Sequence, residues 1–146
     1  MYGYNIKEAL LSQIKLPKEI LIRQFVETDF PLVKTLYAQE GWMTFINREG
    51  DALEAWNNSN ITLVAVEGDK VIGLVRALTD GKITTYIAEI IVDTRYRGKG
   101  IGKALLDVCH GLYPHTRLDL LSTEGADEFY KNNKFREITG FRKSYY

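Results

Sequence analysis

Apolar positions along this chain change their spacing several times, and each change marks an element. In "ILIRQFVE" apolar residues fall at near-alternate positions from Ile20, the period of a strand. Beyond it, Leu32, Val33, Leu36 and Tyr37 recur at helical spacing, and Thr28 and Asp29 are residue types that cap a helix. A loop with Gly41, Trp42 and Phe45 follows, and then "GDALEAWNNS", a shorter helix with Leu53 and Trp56 on one face. "ITLVAVEGDKVIGLVRAL" is two apolar runs around "EGDK", a hairpin pattern. "TDGK" turns the chain again, into the long strand "TTYIAEIIVD".

The segment "IVDTRYRGKGIGKALLDV", residues 91–108, then leaves the end of that strand. It holds three glycines among Arg95, Arg97, Lys99 and Lys103 and opens a helix from about Gly100 to Leu112. Ile101, Leu105, Val108 and Leu112 form the inner face of this helix, and Pro114 helps to stop it. "RLDLLST" reads as a strand, "GADEFYKNN" as a short helix, and "FREITGFRKSYY" as one more strand. A strand–helix–strand crossover after antiparallel hairpins predicts an α/β (α+β) fold: a mixed sheet with helices on both faces. Residues 20–146 read as one domain, and residues 1–19 as an N-terminal extension. Within the extension, "NIKEALLSQI" suits two or three helical turns with Ile6, Leu10 and Ile14 on one side. That side packs on the domain, docks on a partner such as a second copy in a homodimer, or frays.

Composition narrows the function classes. Lysine plus arginine and aspartate plus glutamate each number 19, so the formal net charge is zero. The chain has no overall bias toward nucleic acid or an anionic membrane, and any anion site must be local. The apolar runs are too short to span a bilayer, and "MYGYNIKEAL" has no signal core, so a cytoplasmic location is expected. A single cysteine, Cys109, permits no internal disulfide and no cysteine-rich metal cluster, and its place on the apolar side of a helix suits a buried role. His110 and His115 lack partners at metal-ligand spacing, so no metal is expected. Ser122 lacks the Gly-x-Ser-x-Gly context of a hydrolase nucleophile.

The glycine segment, by contrast, suits a phosphate, because a strand, a glycine turn and a helix start present backbone N–H groups to an anion. It is not a Walker A loop, since Gly102-Lys103 is followed by Ala104 and Arg97 stands at the position of the first glycine. Nor is it the dinucleotide pattern G-x-G-x-x-G, which fails at Lys103 when counted from Gly98 and at Leu105 from Gly100. It does fill Arg/Gln-x-x-Gly-x-Gly/Ala with Arg97, Gly100 and Gly102. With this motif the chain resembles the GCN5-related N-acetyltransferases (GNAT), in particular small bacterial members. "VDTRYRGKGIGKALL" is similar to their acyl-CoA signature, "ADEFYKNNKF" to a later helix of the family, and "KVIGLVRALTDGK" and Gly41-Trp42 to the bacterial subgroup. Lys134 stands where that family usually has glycine, Thr123 where many members have asparagine, and the tail after Phe135 is short.

The resemblance implies a sheet of six or seven strands and acetyl-CoA as co-substrate. It implies that Gly98, Gly100 and Gly102 bring backbone close to the pyrophosphate, with Arg97, Lys99, Ile101 and Lys103 at the same end. It also implies that the pantetheine arm lies along Ile90, Ile91 and Val92 and bonds to their backbone, and that Tyr130 meets the departing thiolate. An alkyl amine with a pKa of about 10.4 arrives protonated and must lose a proton before it attacks. Glu89 interrupts the apolar run "IAEIIV", and a carboxylate there is either paired or functional, which makes it the candidate base. Trp42, Phe45 and Trp56 either line an acceptor pocket or fill the core. The expected activity is acetyl transfer to a primary amine, of a small molecule or a protein, by direct attack in a ternary complex. The alternative is a non-catalytic acyl-CoA sensor or interaction module on the same fold.

Overall fold

The hairpin signals become a run of antiparallel strands. In a computed structural model, which describes residues 5–146, β1 (Ile20–Gln24), β2 (Ile61–Glu67), β3 (Lys70–Thr79) and β4 (Thr84–Val92) lie side by side in chain order. β5 (Arg117–Leu120) joins β4 in parallel, after the crossover helix. The helices are α1 (Glu8–Leu11), α2 (Phe30–Gln39), α3 (Thr44–Asn47), α4 (Glu49–Asn58), α5 (Ile101–Leu112) and α6 (Asp127–Asn132).

Both faces of the sheet are covered, which is why β2 reads as an almost unbroken apolar run. Its Ile61, Leu63 and Ala65 join the core beneath α5, with Leu105, Val108 and Cys109, while Val64 and Val66 join the core beneath α2 and α4, with Val33, Leu36, Tyr37 and Trp56. Each large side chain fully buried in either layer contributes about 1.5–3 kcal/mol. Cys109 lies in the α5 layer, where burial pushes its thiol up to about 12.

Four sequence expectations are corrected in detail. The sheet has five strands among the described residues, not six or seven. "FREITGFRKSYY" forms no strand there: Gly140 lies against Leu121, and Arg48 sits over the Tyr145 ring at 5.0 Å. Asp29 does not cap α2; its carboxylate accepts from the Val26 amide at 2.9 Å and pairs with Arg23, fixing a 3₁₀ turn ahead of the helix.

The loop after Gly41 contains the one-turn helix α3. The N-terminal segment makes a single turn, not two or three, and Ser12 at its C-terminal end turns its hydroxyl back to the Ala9 carbonyl at 2.9 Å. Ile6, Leu10 and Ile14 pack against the α5 layer, Leu10 into the space left by the missing side chain of Gly111. The first four residues of the expected 1–19 extension lie outside the described residues.

Candidate active site

β4 is paired on both sides for only part of its length. Its residues Thr84 to Ile87 face Arg117 to Leu120 of β5, and beyond Ile87 it pairs only with β3. The change falls at a bulge: Ala77 is opposite Ile87 and Arg76 is opposite Glu89, which leaves Ala88 as the extra residue. The bulge also reverses which face each side chain takes. Ile87 joins the α5 layer, whereas Ile91, an even number of residues further on, joins the α2–α4 layer. From Ala88 to Val92 the strand therefore has one edge without a neighbouring strand, and the backbone groups on that edge, apart from the Val92 carbonyl that Arg97 reaches, can take an extended ligand as a further strand.

That edge leads directly into the glycine loop. The Asp93 amide bonds to the Ile72 carbonyl at 2.8 Å, and its carboxylate accepts from the Arg95 amide at 2.9 Å, which folds Thr94–Tyr96 into a 3₁₀ turn. Bonding to Arg95 holds the Asp93 carboxyl below its usual range, against the opposing effect of burial. Tyr96 donates its hydroxyl to Glu67 at 2.7 Å, and Lys99 lies over the Tyr96 ring at 5.2 Å. Arg97 donates Nε to the Val92 carbonyl at 3.0 Å and pairs with Glu40. Lys103 pairs with Asp107 on the exposed side of α5.

Gly98 and Gly100 have φ of 80° and 81°, a left-handed conformation that favours glycine, and a Cβ on either would meet no atom of the chain within 4 Å. Both positions thus face open space. Gly100 is the N-cap of α5, so the amides of Ile101, Gly102 and Lys103 belong to a first turn with no intrahelical acceptor, at the positive end of the helix dipole. Gly102 has a different reason to be glycine: a Cβ there would come 3.0 Å from Phe129 Cζ of α6.

α6 thus sits against the start of α5, and Tyr130 follows Phe129. Tyr130 packs on the same core layer as Ile90 and Val92, edge-on to Phe129 and Phe135. Burial pushes its phenol above the ordinary 10.0, so at neutral pH it is a hydrogen-bond donor. The helix closes in a Schellman cap: the Phe135 amide bonds to the Tyr130 carbonyl at 3.0 Å and that of Lys134 to the Lys131 carbonyl at 3.2 Å. Lys134 takes φ 70° there, the left-handed position at which a glycine would be unstrained.

Glu89 lies on the opposite face from Tyr130. Both of its oxygens are held by Arg76, from Nε and Nη2 at 2.7 Å each, and Oε1 also accepts from the Tyr37 hydroxyl at 2.7 Å. Tyr37 in turn accepts from Trp56 Nε1 at 3.0 Å, and Arg76 Nη1 donates to Ser59 Oγ at 3.1 Å. Burial, together with the Glu89 charge, pushes the Tyr37 phenol well above its ordinary value. Burial opposes the charge on Arg76, but its bonds to Glu89 more than compensate and keep it protonated. Removing the Glu89 side chain would leave Arg76 as an unpaired, largely buried cation, which typically costs about 3–5 kcal/mol.

The structure therefore brings together Ile90, Val92, the loop from Arg97 to Lys103 and the α6 pair Phe129–Tyr130. It sets Glu89 and Ile91 toward the other layer. Trp56 is wholly buried against Phe25 with ring centroids 4.6 Å apart, so of its two expected roles it fills the core. Phe45 stacks on Tyr37 at 3.8 Å and Trp42 tilts over the same ring at 6.3 Å, both half-buried. Arg76 and Ser59 were not singled out from the sequence, and Tyr37 was read only as an apolar position of a helix. One signal was present: Arg76 interrupts "VIGLVRAL" as Glu89 interrupts "IAEIIV", two opposite charges in adjoining apolar strands. Among the described residues, no three His, Cys, Asp or Glu side chains are placed to hold a metal ion, and no helix is long and apolar enough to cross a membrane.

A family model described as "Acetyltransferase (GNAT) domain" matches residues 58–137, more than half of the chain. No curated protein matches. Among solved structures, a GNAT-family acetyltransferase from Streptococcus pneumoniae TIGR4 is similar at 26% identity and a TM-score of 0.70, covering 86% of this chain and 96% of that one. An acetyltransferase from Streptococcus agalactiae 2603 is 21% identical with a TM-score of 0.67, over 84% of this chain and 87% of the other. An aminoglycoside acetyltransferase from an uncultured soil metagenomic sample is 19% identical with a TM-score of 0.65, over 89% and 99%.

Proposed function

Because the chain belongs to the acetyltransferase (GNAT) family, we propose that it transfers an acetyl group from acetyl-CoA to a primary amine by direct attack in a ternary complex. The observation that carries this reading is the free edge of β4 from Ala88 to Val92, which runs straight into two left-handed glycines and the N-terminus of α5. The residues fit the co-substrate. Backbone groups of Ile90, Ile91 and Val92 suit the amides of the pantetheine arm, and the amides of Gly98 to Lys103, with Arg97, Lys99 and Lys103 around them, suit the pyrophosphate. Acetyl-CoA supplies an activated thioester, so the chain itself need not form an acyl-enzyme.

The work left to this chain is to orient the donor, meet the charge that develops on sulfur, and admit an amine. Tyr130, half-buried beside Ile90 and Val92, carries a protonated hydroxyl that can donate to the departing thiolate. As the amine nitrogen bonds to the carbonyl carbon, the carbon–sulfur bond breaks, the thiolate gains a proton and the amine loses one. The geometry of Glu89 favours water as the acceptor of the amine proton, since its carboxylate is committed to Arg76 and Tyr37. The half-buried rings of Trp42 and Phe45, over Tyr37, supply an apolar wall for the acceptor.

The test is calorimetric titration with acetyl-CoA, followed by free-thiol release against a panel of small amines, aminoglycosides and peptide amines. Binding with amine-dependent thiol release is expected. A second reading, an acyl-CoA sensor without turnover, is favoured by one observation, the same engagement of Glu89 by Arg76. It predicts binding with no thiol release from any amine.

A further inference from the structure

The ion pair beside the bulge does more than satisfy two buried charges. Arg76 and Glu89 are direct cross-strand partners, and Glu89 is the first residue after the extra Ala88. The two side chains are 15% and 10% exposed. The pair's other hydrogen bonds reach into the helices on that face: Tyr37 of α2 bonds to Glu89, and Ser59, at the end of α4, joins Arg76 to the Ala55 carbonyl at 2.6 Å. The first residue past the bulge is thereby tied to β3, α2 and α4 together.

A bulge is a place where register can slip, because erasing it gains back a regular ladder. Without the bulge, Ala88 would stand opposite Arg76 and the side chains beyond it would exchange faces. Glu89 would then point into the apolar layer under α5, and Arg76 would lose its partner. That slip is opposed by the cost of two unpaired buried charges, which is the best-attested use of a buried ion pair: fixing a register.

We propose that Arg76 is a positioning residue for the acyl donor: with Glu89 it clamps β4 immediately past the Ala88 bulge and so holds the Ala88–Val92 edge where the pantetheine amides pair. The proposal rests on the reading that this edge takes acetyl-CoA, but the clamp itself can be tested without any ligand.

The variants are Arg76→Met, Glu89→Gln and the double variant Arg76→Met/Glu89→Gln, with Arg76→Lys as a milder change that keeps the charge if the methionine variant does not fold. Hydrogen exchange of the free protein reads the clamp directly. Amides of residues 88–92 should exchange about tenfold faster or more in each single variant, with those of β1 and β2 unchanged. Acetyl-CoA affinity should fall about tenfold or more in each single variant, and the double variant should be no worse than the weaker single, as for residues acting as one unit. The kcat/KM deficit of Glu89→Gln should be the same at about pH 7 and about pH 9, because no proton transfer has been removed.

Unchanged exchange at residues 88–92 in a folded Arg76 variant overturns the clamp, as does additive loss in the double variant. A Glu89→Gln deficit that vanishes at high pH, with normal donor affinity in Arg76→Lys, overturns it in favour of Glu89 as the base. If the wild-type chain does not bind acetyl-CoA, the donor reading fails, and the exchange data alone still decide the clamp.

Discussion

The loop from Asp93 to Gly100 and the region around Glu89 adjoin on one strand but are built from different materials. The loop presents backbone: two left-handed glycines, a helix start, and basic side chains that remain half or more exposed. Around Glu89 the structure is side chain against side chain, an ion pair, a phenol, an indole and a hydroxyl in one buried network. A backbone site suits a ligand shared by many proteins, because it depends on chain conformation and tolerates change elsewhere. A side-chain network belongs to one sequence, and here it shapes the strand that the ligand would use. Substitutions should therefore act differently in the two regions: binding should suffer directly in the loop, and around Glu89 only through folding or strand geometry.

The largest effect is expected in the network. Glu89→Ala leaves the Arg76 guanidinium buried without its partner and should lower stability by about 3–5 kcal/mol, read from the midpoint of urea unfolding. A variant as stable as wild type would mean that the pair is solvated and the contrast between the regions is false.

Next comes Tyr130, which packs with Ile90 and Val92 on the face opposite Glu89. Tyr130→Phe keeps the ring in its edge-on packing and removes only the hydroxyl, so kcat should fall about 10–10³-fold with little change in acetyl-CoA binding. Because burial raises the phenol above 10.0, the wild-type hydroxyl stays protonated up to and beyond that pH, and its contribution should not titrate away below it. Wild-type turnover under rate-limiting chemistry would leave Tyr130 as a packing residue.

The loop itself should respond in affinity. Gly100→Val forces a branched side chain into φ 81° and into the open space above α5, so acetyl-CoA should bind about tenfold or more weakly, alongside roughly 1–3 kcal/mol of backbone strain. Unaltered affinity in a folded variant would remove the loop from the donor site.

The smallest effect has the opposite sign. Lys134→Gly relieves the left-handed residue of the α6 cap and should stabilise the protein by about 0.5–1 kcal/mol, a rise of a few degrees in Tm. No gain would show that the cap is strained less than its φ of 70° suggests.

How much of this was legible follows the same division. The loop could be read because left-handed turns at a helix start require particular residue types, so Gly98 and Gly100 announce the geometry, whereas Gly102 is glycine because Phe129 packs against it. The inner faces of the helices could be read from period alone, with Leu36 on one helix and Leu105 and Val108 on another, while their placement in two layers came from the structure. The partner of Glu89 could not be placed by register, although Arg76 stands out as the opposite charge in the adjoining strand. Counting a regular register back from Thr79 opposite Thr85 puts Ala88 beside Arg76, and only the bulge brings Glu89 there. A bulge at alanine leaves no mark in composition or period. The tail misled for another reason: "FREITGFRKSYY" has strand-like residues, but propensity alone does not supply a strand to pair with, and no strand forms there. Lys134 illustrates the converse. Its departure from the family's glycine was visible in the sequence, and the structure keeps the glycine conformation with a lysine in it.

The most direct test of the central claim is hydrogen exchange of the wild-type chain with and without saturating acetyl-CoA. If the free edge of β4 and the glycine loop form the donor site, protection should appear in the amides from Ala88 to Lys103 and should be absent from β1 and β2. Binding that leaves residues 88–103 exchanging as in the free protein, while other segments become protected, would contradict the account.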